Sequence, residues 1–300
     1  MHTAFSPSPL ARLLLVLLGL STLLLGACQK EDTIDYAARD EATIQQYLTD
    51  NKLTGFQRQS SGLYLAITQP GTGALAQRNQ WVSAKYSASL LDGKVVDSNT
   101  SSYRLLDFAL GQNTMIPGWE EGFTHLNKGA KATFLVPSGL AYGEIGAGPI
   151  PPNTVLRFDV EVVDIASSID YAARDEATIQ QYIADKKLTG FQRQPSGLYV
   201  AITQPGTGTA IQKGQRASAL YTGTTLDGQV FDTTKPASPF SFTVGTGQVI
   251  AGWDEGFTLL NKGSKAILLL PSNLAYGNRA ISALPANSIL RFDVEVTDVK

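Results

Sequence analysis

The residues able to carry chemistry fall into two sets. One is thin: His2, His125 and a single cysteine, Cys28, in 300 residues. Two histidines cannot form a His-rich metal site. One cysteine excludes an intramolecular disulfide. The other set is aromatic and recurs along the chain, Tyr86 with Tyr221, Trp119 with Trp253, Tyr142 with Tyr276, and Phe158 with Phe292. Rings interspersed with a few hydroxyls suit an apolar site that fixes its ligand through a small number of polar groups. The net charge of −2 and the lack of a Lys/Arg block argue against a nucleic-acid surface.

Cys28 follows a leader-like stretch. Arg12 precedes an apolar run from Leu13 to Leu25, which ends in Leu25-Gly26-Ala27-Cys28. A membrane-spanning helix needs about 20 apolar residues, so this run reads as the core of a signal peptide. The small residues before Cys28 suit a peptidase that needs a narrow, extended backbone. The string resembles the bacterial lipobox, which implies a signal peptide over 1–27, acylation of Cys28, attachment to the membrane through that lipid, and a tether over 28–33. The alternative is an ordinary cleaved signal with an incidental cysteine. Gln29-Lys30-Glu31-Asp32 lacks an Asp beside the cysteine, a feature linked to inner-membrane retention in some bacteria. It is similar to the Lys-plus-acidic surface signal of one bacterial phylum, and it also reads as a plain solvated tether. The expected location is the bacterial cell envelope, at an outer membrane, facing either the periplasm or the outside.

The elements that position the aromatic set come in two copies. Residues 34–73 and 169–208 are nearly the same sequence, and the likeness then weakens without ending. The period is too long for a solenoid unit, so the chain is a tandem duplication. Its joint is the small polar string Ala166-Ser167-Ser168, which gives units of 34–166 and 167–300. Each unit opens with an amphipathic helix: Ile44, Tyr47 and Leu48 share a face in the first, Ile179, Tyr182 and Ile183 in the second. Asp35 and Asp170 are their expected N-caps. The narrow apolar face docks either on its own unit or on its twin, and a partner-binding role stays open. Strand patterns follow, over Ser61–Ile67 and Val82–Leu91, with Asp92-Gly93 and Asp227-Gly228 as tight hairpin turns. Trp253, Phe257 and Leu260 then lie at helical spacing, with Gly263 as the expected C-cap and Asp254-Glu255 as a solvated helix start. Lys265–Leu270 and Ile289–Val299 read as further strands. One short helix among several antiparallel strands predicts an α+β unit with its sheet wrapped over that helix.

The second unit contains Tyr221-Thr222-Gly223, Leu226-Asp227-Gly228, Val230-Phe231-Asp232, Phe240-Ser241-Phe242, Val249-Ile250-Ala251-Gly252-Trp253, Ala275-Tyr276-Gly277 and Phe292-Asp293-Val294. In order and spacing this resembles the FKBP-type peptidyl-prolyl isomerases, across roughly the last 100 residues of each copy. The resemblance implies two tandem FKBP-like domains and a proline pocket. Trp253 forms its floor, Tyr221, Phe231, Phe242 and Phe292 its walls, and Phe240 its rim. Val249 and Ile250 edge the site, with the Ile250 N–H as a donor. Asp232 sits beside Tyr221 as a polar group in an apolar cleft, and Tyr276 donates its hydroxyl to the carbonyl before proline. The expected partners are proline-containing polypeptides, and the reaction needs no nucleophile, metal or cofactor. Its barrier is rotation about a partly double C–N bond, about 18–20 kcal/mol.

The copies differ. The matching positions in the first are Tyr86, Val96, Asp97, Leu106, Phe108, Met115, Ile116, Trp119, Tyr142 and Phe158. Val96 replaces the ring of Phe231 and Leu106 that of Phe240, so a wider pocket is expected there, either weaker or with another peptide preference. The loop after the donor tyrosine is close to the family form in the first copy. In the second, Tyr276-Gly277-Asn278-Arg279-Ala280-Ile281-Ser282-Ala283-Leu284 has lost the later glycines. Ile150 and Leu284 are the expected apolar flap residues. Three functions fit: an envelope prolyl isomerase that assists folding of exported proteins, a largely non-catalytic binding chaperone on a lipid anchor, or a surface protein that keeps the fold without the activity.

Overall fold

The computed structural model describes residues 34–282 and 284–300. The signal-like run, Cys28 and the 28–33 tether lie outside the described residues. Among the described residues no helix is long and apolar enough to cross a membrane.

The first unit runs α1 (Tyr36–Asp50), β1 (Gln57–Arg58), β2 (Tyr64–Gln69), β3 (Thr72–Leu75), β4 (Trp81–Leu90), β5 (Val95–Ser98) and β6 (Leu106–Ala109). It continues with α2 (Pro117–Phe123), β7 (Asn127–Lys128), β8 (Lys131–Val136) and β9 (Leu156–Ala166). The second repeats this as α3 (Tyr171–Asp185), β10 (Gln192–Arg193), β11 (Tyr199–Gln204), β12 (Arg216–Thr225), β13 (Val230–Thr233), β14 (Phe240–Thr243), α4 (Ala251–Gly256), β15 (Lys265–Leu270) and β16 (Leu290–Val299). Each unit has its own sheet. The strand orders are β1-β2-β8-β9-β4-β5 and β10-β11-β15-β16-β12-β13, with β6 on β4 and β14 on β12. All of these pairings are antiparallel.

Period-two alternation builds the inner face, as β9 shows by burying Leu156, Phe158, Val160 and Val162 in turn. The short helix fills the concave side. Trp119 and Phe123 of α2, and Trp253 and Phe257 in the second unit, stand among the buried core residues. This is the α+β architecture expected, a sheet wrapped over a short helix.

The leading helices dock on their own units. Asp35 accepts from the Ala38 N–H and Asp170 from the Ala173 N–H, both at 3.0 Å, so both caps are as the sequence suggests. Ile44 is fully buried against Tyr64, Leu135 and Val155, and Ile179 against Tyr199, Leu226 and Leu269. These partners lie on or beside the face of each sheet turned away from the short helix.

The expected helix C-cap fails. Gly263 is not a helix C-cap: α4 ends at Gly256 and passes into a 3-10 turn, Phe257–Leu259. Gly263, with φ of +84°, shapes the turn before β15, where its N–H donates to the Val296 carbonyl. The apolar spacing of Trp253, Phe257 and Leu260 overran the helix because a 3-10 turn and an extended Leu260 also point inward.

The units meet through the loop between β5 and β6. Ser102 Oγ and the Tyr103 N–H donate to Asp227, at 2.8 and 3.0 Å. The Tyr103 hydroxyl donates to Asp185, and its ring meets Tyr182 edge-on at 5.2 Å. Arg174 of α3 reaches Asp107 on β6. Asp227 thus serves the joint as well as its own hairpin.

Candidate functional site

In the second unit, the indole of Trp253 is the hub. It is 3% exposed and is stacked on Phe257 at 4.9 Å. Tyr221 from β12 stands edge-on to it at 4.8 Å and Phe292 from β16 at 5.3 Å. Phe242 lies at 5.6 Å and Phe240 at 6.1 Å. Antiparallel register explains the convergence. On β12, two residues to either side of Tyr221, Gly223 lies opposite Phe292 and Ala219 opposite Phe240, so β12, β14 and β16 present their rings to one side. Edge-to-face pairs of this kind each add about 0.5–1.5 kcal/mol beyond burial.

The other site residues sort as follows. Phe240 is 41% exposed and forms a rim. Phe231 packs on Phe292 at 5.6 Å, one layer out from the indole. Phe242 also contacts Phe257, so it belongs to the core as much as to the wall. Val249, Ile250 and Tyr276 are half-buried against the same core. Ile250 caps α4 in extended conformation, and its carbonyl accepts from the Trp253 N–H. Its own N–H meets no acceptor among the described residues, which leaves a donor free at the helix entrance. Asp232 is exposed, and takes the Tyr221 hydroxyl as a donor. It therefore marks the open edge of the cleft, not a sealed interior.

Burial pushes the Tyr221 hydroxyl well above the usual tyrosine range, and the Asp232 carboxylate pushes it further. Burial, then the charge of Asp232, raises Tyr276 as well. Both hydroxyls stay protonated at neutral pH and can act only as hydrogen-bond partners, not as bases.

The first unit keeps the hub and loses part of the wall. Trp119 meets Tyr86 at 5.2 Å, Phe158 at 5.4 Å and Phe108 at 5.9 Å. The Tyr86 hydroxyl donates to Asp97 at 2.6 Å. Val96, Leu106, Met115 and Ile116 are half-buried on this core. Tyr142 is 39% exposed, whereas Tyr276 is half-buried.

The flaps differ in sequence more than in path. Ala147 and Ile150 exchange backbone hydrogen bonds in the first unit, Ile281 and Leu284 in the second. Asn153 N–H donates to the Gly143 carbonyl, and Asn287 N–H to that of Gly277, both at 2.7 Å. Ile150 and Leu284 are tucked into the cores, as anchors of the flaps; the exposed apolar residues are Ile145 and Ile281. Ala283 of this loop lies outside the described residues.

Sequence reasoning missed two contributors. Asp254 is no solvated helix start. Its two oxygens accept from the Gly245 and Gly247 N–H groups, at 2.8 and 2.7 Å, and so tie down the loop that carries Val249 and Ile250. Glu120 does the same for Gly111. The signal was available as an acid in the first helical turn behind a glycine-bearing loop, repeated in both copies. The other contributor is Gly223, where a Cβ would come within 2.7 Å of Phe231 and 2.9 Å of Phe292. Among the described residues no group of three or more His, Cys, Asp or Glu could hold a metal.

Comparison with known proteins agrees with this architecture. The family model of the FKBP-type peptidyl-prolyl cis-trans isomerase matches residues 73–163 and again 207–297. Human peptidyl-prolyl cis-trans isomerase FKBP9 is 29% identical over 227 residues, which span 75% of this chain and 36% of the human protein. The FKBP-type isomerase FkpA of Escherichia coli is 34% identical over 152 residues, 50% of this chain and 56% of its own length. The chain thus spans about a third to a half of the relatives it matches. Among solved structures, the E. coli FkpA crystal structure is 30% identical and covers 55% of this chain and 75% of its own, with a TM-score of 0.39. The three FKBP domains of wheat FKBP73 cover 82% of this chain and 99% of their own, at 23% identity and a TM-score of 0.35. With the family model matching twice, across both sheets and both aromatic hubs, this chain belongs to the FKBP-type peptidyl-prolyl cis-trans isomerase family and carries two of its domains in tandem.

Proposed function

We propose that the chain is a peptidyl-prolyl cis-trans isomerase with two unequal sites, the second the more active. The observation that carries this reading is the Trp253 hub, ringed by Tyr221, Phe242 and Phe292 with two protonated tyrosine hydroxyls nearby. A proline ring seats on the indole. The planar amide is its more polar state, so a cleft poor in water favours the twisted form relative to solvent. The Tyr276 hydroxyl donates to the carbonyl before proline and the Ile250 N–H donates to the bound peptide, and both grip it best when the bond is twisted, which lowers the barrier. Tyr221, Phe231, Phe240, Phe242, Val249 and Phe292 hold the flanking side chains, and Asp232 fixes the Tyr221 hydroxyl. The first unit uses Tyr86, Asp97, Phe108, Met115, Ile116, Trp119, Tyr142 and Phe158 in the same way. With Val96 and Leu106 in place of rings, that unit favours loose binding over turnover.

The test is isomerisation of a proline tetrapeptide by the two-unit chain and by each half. The second half is expected to account for most of the rate. Tyr276→Phe is expected to cost it about fivefold to tenfold, the kinetic equivalent of one hydrogen bond of roughly 1 kcal/mol. Rates no faster than the uncatalysed exchange in every sample would defeat the enzyme reading and leave the binding chaperone and the inactive surface protein.

The setting we propose is the bacterial envelope. Residues 1–27 are removed as a signal, Cys28 is acylated, 28–33 forms the tether, and 34–166 and 167–300 are the two domains, held at an outer membrane. Clients there are exported chains whose X–Pro bonds exchange in tens to hundreds of seconds uncatalysed. Metabolic labelling with a fatty-acid analogue is expected to tag the chain and to miss Cys28→Ser. An unlabelled parent chain would sink the lipid anchor, and protease shaving of intact cells reads which membrane face it occupies.

A further inference from the structure

The family match begins at residue 73 in one unit and 207 in the other, so α1 and α3 lie outside it. Each of these helices nevertheless sends one carboxylate to the turn that carries the donor tyrosine. Asp40 is 1% exposed, and its Oδ2 accepts from both the N–H and the hydroxyl of Ser138, at 2.7 and 2.5 Å. Asp175 is also 1% exposed and accepts from the Ser272 N–H at 2.7 Å. These serines open the 3-10 turns Ser138–Leu140 and Ser272–Leu274. Their carbonyls accept from the Gly143 and Gly277 N–H groups, at 2.9 and 2.8 Å. Tyr142 and Tyr276 are therefore bracketed: the residue just after each tyrosine is closed back onto a serine, and the serine is pinned by the leading helix. Burying a carboxylate is costly unless it is paired and hydrogen-bonded, so the bracket is maintained against a penalty.

The pins differ at their second oxygen. Asp40 Oδ1 accepts from Arg39 at 2.6 Å. The matching Arg174 has left its neighbour for Asp107 on β6, across the joint. Asp175 Oδ1 is buried with no partner among the described residues. Burial pushes this carboxyl above its ordinary range, and the Ser272 contacts and the charge of Arg174 only partly offset that. Beside it lies a cleft between the units of about 230 Å³, which Arg104, Arg174, Asp175 and Asp227 help to line.

We propose that Asp175 is a positioning residue for Tyr276, and that the first unit sets how firmly it holds by drawing Arg174 away to Asp107. Asp40 has the same part toward Tyr142, with Arg39 retained. This rests on the isomerase reading above, in which Tyr276 is the donor.

The test uses the two-unit chain with Tyr142→Phe throughout, so that the first unit lacks its donor. Asp175→Ala is expected to lower kcat by up to about fivefold with KM little changed, no more than loss of the one hydrogen bond made by the Tyr276 hydroxyl itself. Asp175→Asn keeps an acceptor for the Ser272 N–H and is expected to recover part of the loss. On a Tyr276→Phe background, Asp175→Ala is expected to add nothing to the kinetic loss. Amide exchange over residues 272–277 should quicken in Asp175→Ala. It should slow in Asp107→Asn, a substitution in the other unit that releases Arg174 back to Asp175. The proposal is overturned if Asp175→Ala costs the same factor with and without the Tyr276 hydroxyl, or if Asp107→Asn leaves exchange at 272–277 unchanged. A parent chain without turnover defeats the isomerase reading, while the exchange measurements still decide whether the bracket and its control by the joint exist.

Discussion

Trp253→Ala in the second unit is expected to cost about 3–5 kcal/mol of stability, the range for truncating a buried large aromatic, and to abolish proline turnover there. The indole is 3% exposed and touches Tyr221, Phe240, Phe242, Phe257 and Phe292. Removing it empties the layer between helix and sheet and deletes the floor of the site in one step. The two effects are separable. Trp253→Phe keeps a ring over Phe257 and is expected to retain most of the stability while losing part of the turnover. Denaturant unfolding followed beside the tetrapeptide assay reads both. An alanine variant that still isomerises peptide at the parental rate would mean that the reaction happens elsewhere. Trp119→Ala in the first unit is expected to match it in stability loss, since Trp119 is 1% exposed among the rings of Tyr86, Phe108, Phe123 and Phe158. Its effect on total turnover should be small.

The aromatic hub was legible in the chain because strand alternation and duplication both mark it. Tyr86 and Tyr221, or Phe158 and Phe292, recur at matched places, and two-residue periodicity forces each to one face of its sheet. The caps Asp35 and Asp170 and the turns at Gly93 and Gly228 were legible because local chemistry decides them: a side-chain acceptor for a free N–H, and a positive φ of 90° and 86°. What stayed hidden is decided by neighbours distant in sequence. The strings Tyr36–Tyr47 and Tyr171–Tyr182 are identical, yet Arg39 pairs with Asp40 while Arg174 pairs with Asp107. No reading of that string could give two answers; the difference comes from what each helix is packed against. Asp40 and Asp175 are hidden in the same way: nothing local to the shared string marks them for burial against the serines of distant turns. The flap shows the converse. Its glycines change to Ala280 and Ser282, but the backbone bonds between Ile281 and Leu284, and between Asn287 and Gly277, restore the same path. Ser282 accommodates it with φ of +50°.

The inequality of the two sites has a steric origin that can be reversed. Gly223 lies opposite Asp232 and Phe292, and a Cβ there would press on both Phe231 and Phe292. At the same register the first unit has Ala88, opposite Asp97 and Phe158, and it has Val96 in place of the ring. The small strand residue and the large wall residue therefore go together, Gly with Phe and Ala with Val. Val96→Phe alone is expected to overpack the first unit and cost about 1–3 kcal/mol. Ala88→Gly alone loses a buried methyl group and gains backbone freedom, so it is expected to cost about 1 kcal/mol. Together the two are expected to be far less harmful than their sum, with a coupling of about 0.5–3 kcal/mol, and to raise proline turnover of the first unit toward that of the second. The reciprocal change, Gly223→Ala, is expected to displace Phe231 and lower turnover of the second unit, and Phe231→Val beside it to restore stability without restoring rate. Unfolding midpoints for the four first-unit proteins give the coupling directly. If Val96→Phe is tolerated equally with Ala88 and with Gly at that position, the close approach on β4 does not govern the wall, and the weaker first site must be traced to Leu106 or to the exposed Tyr142 instead.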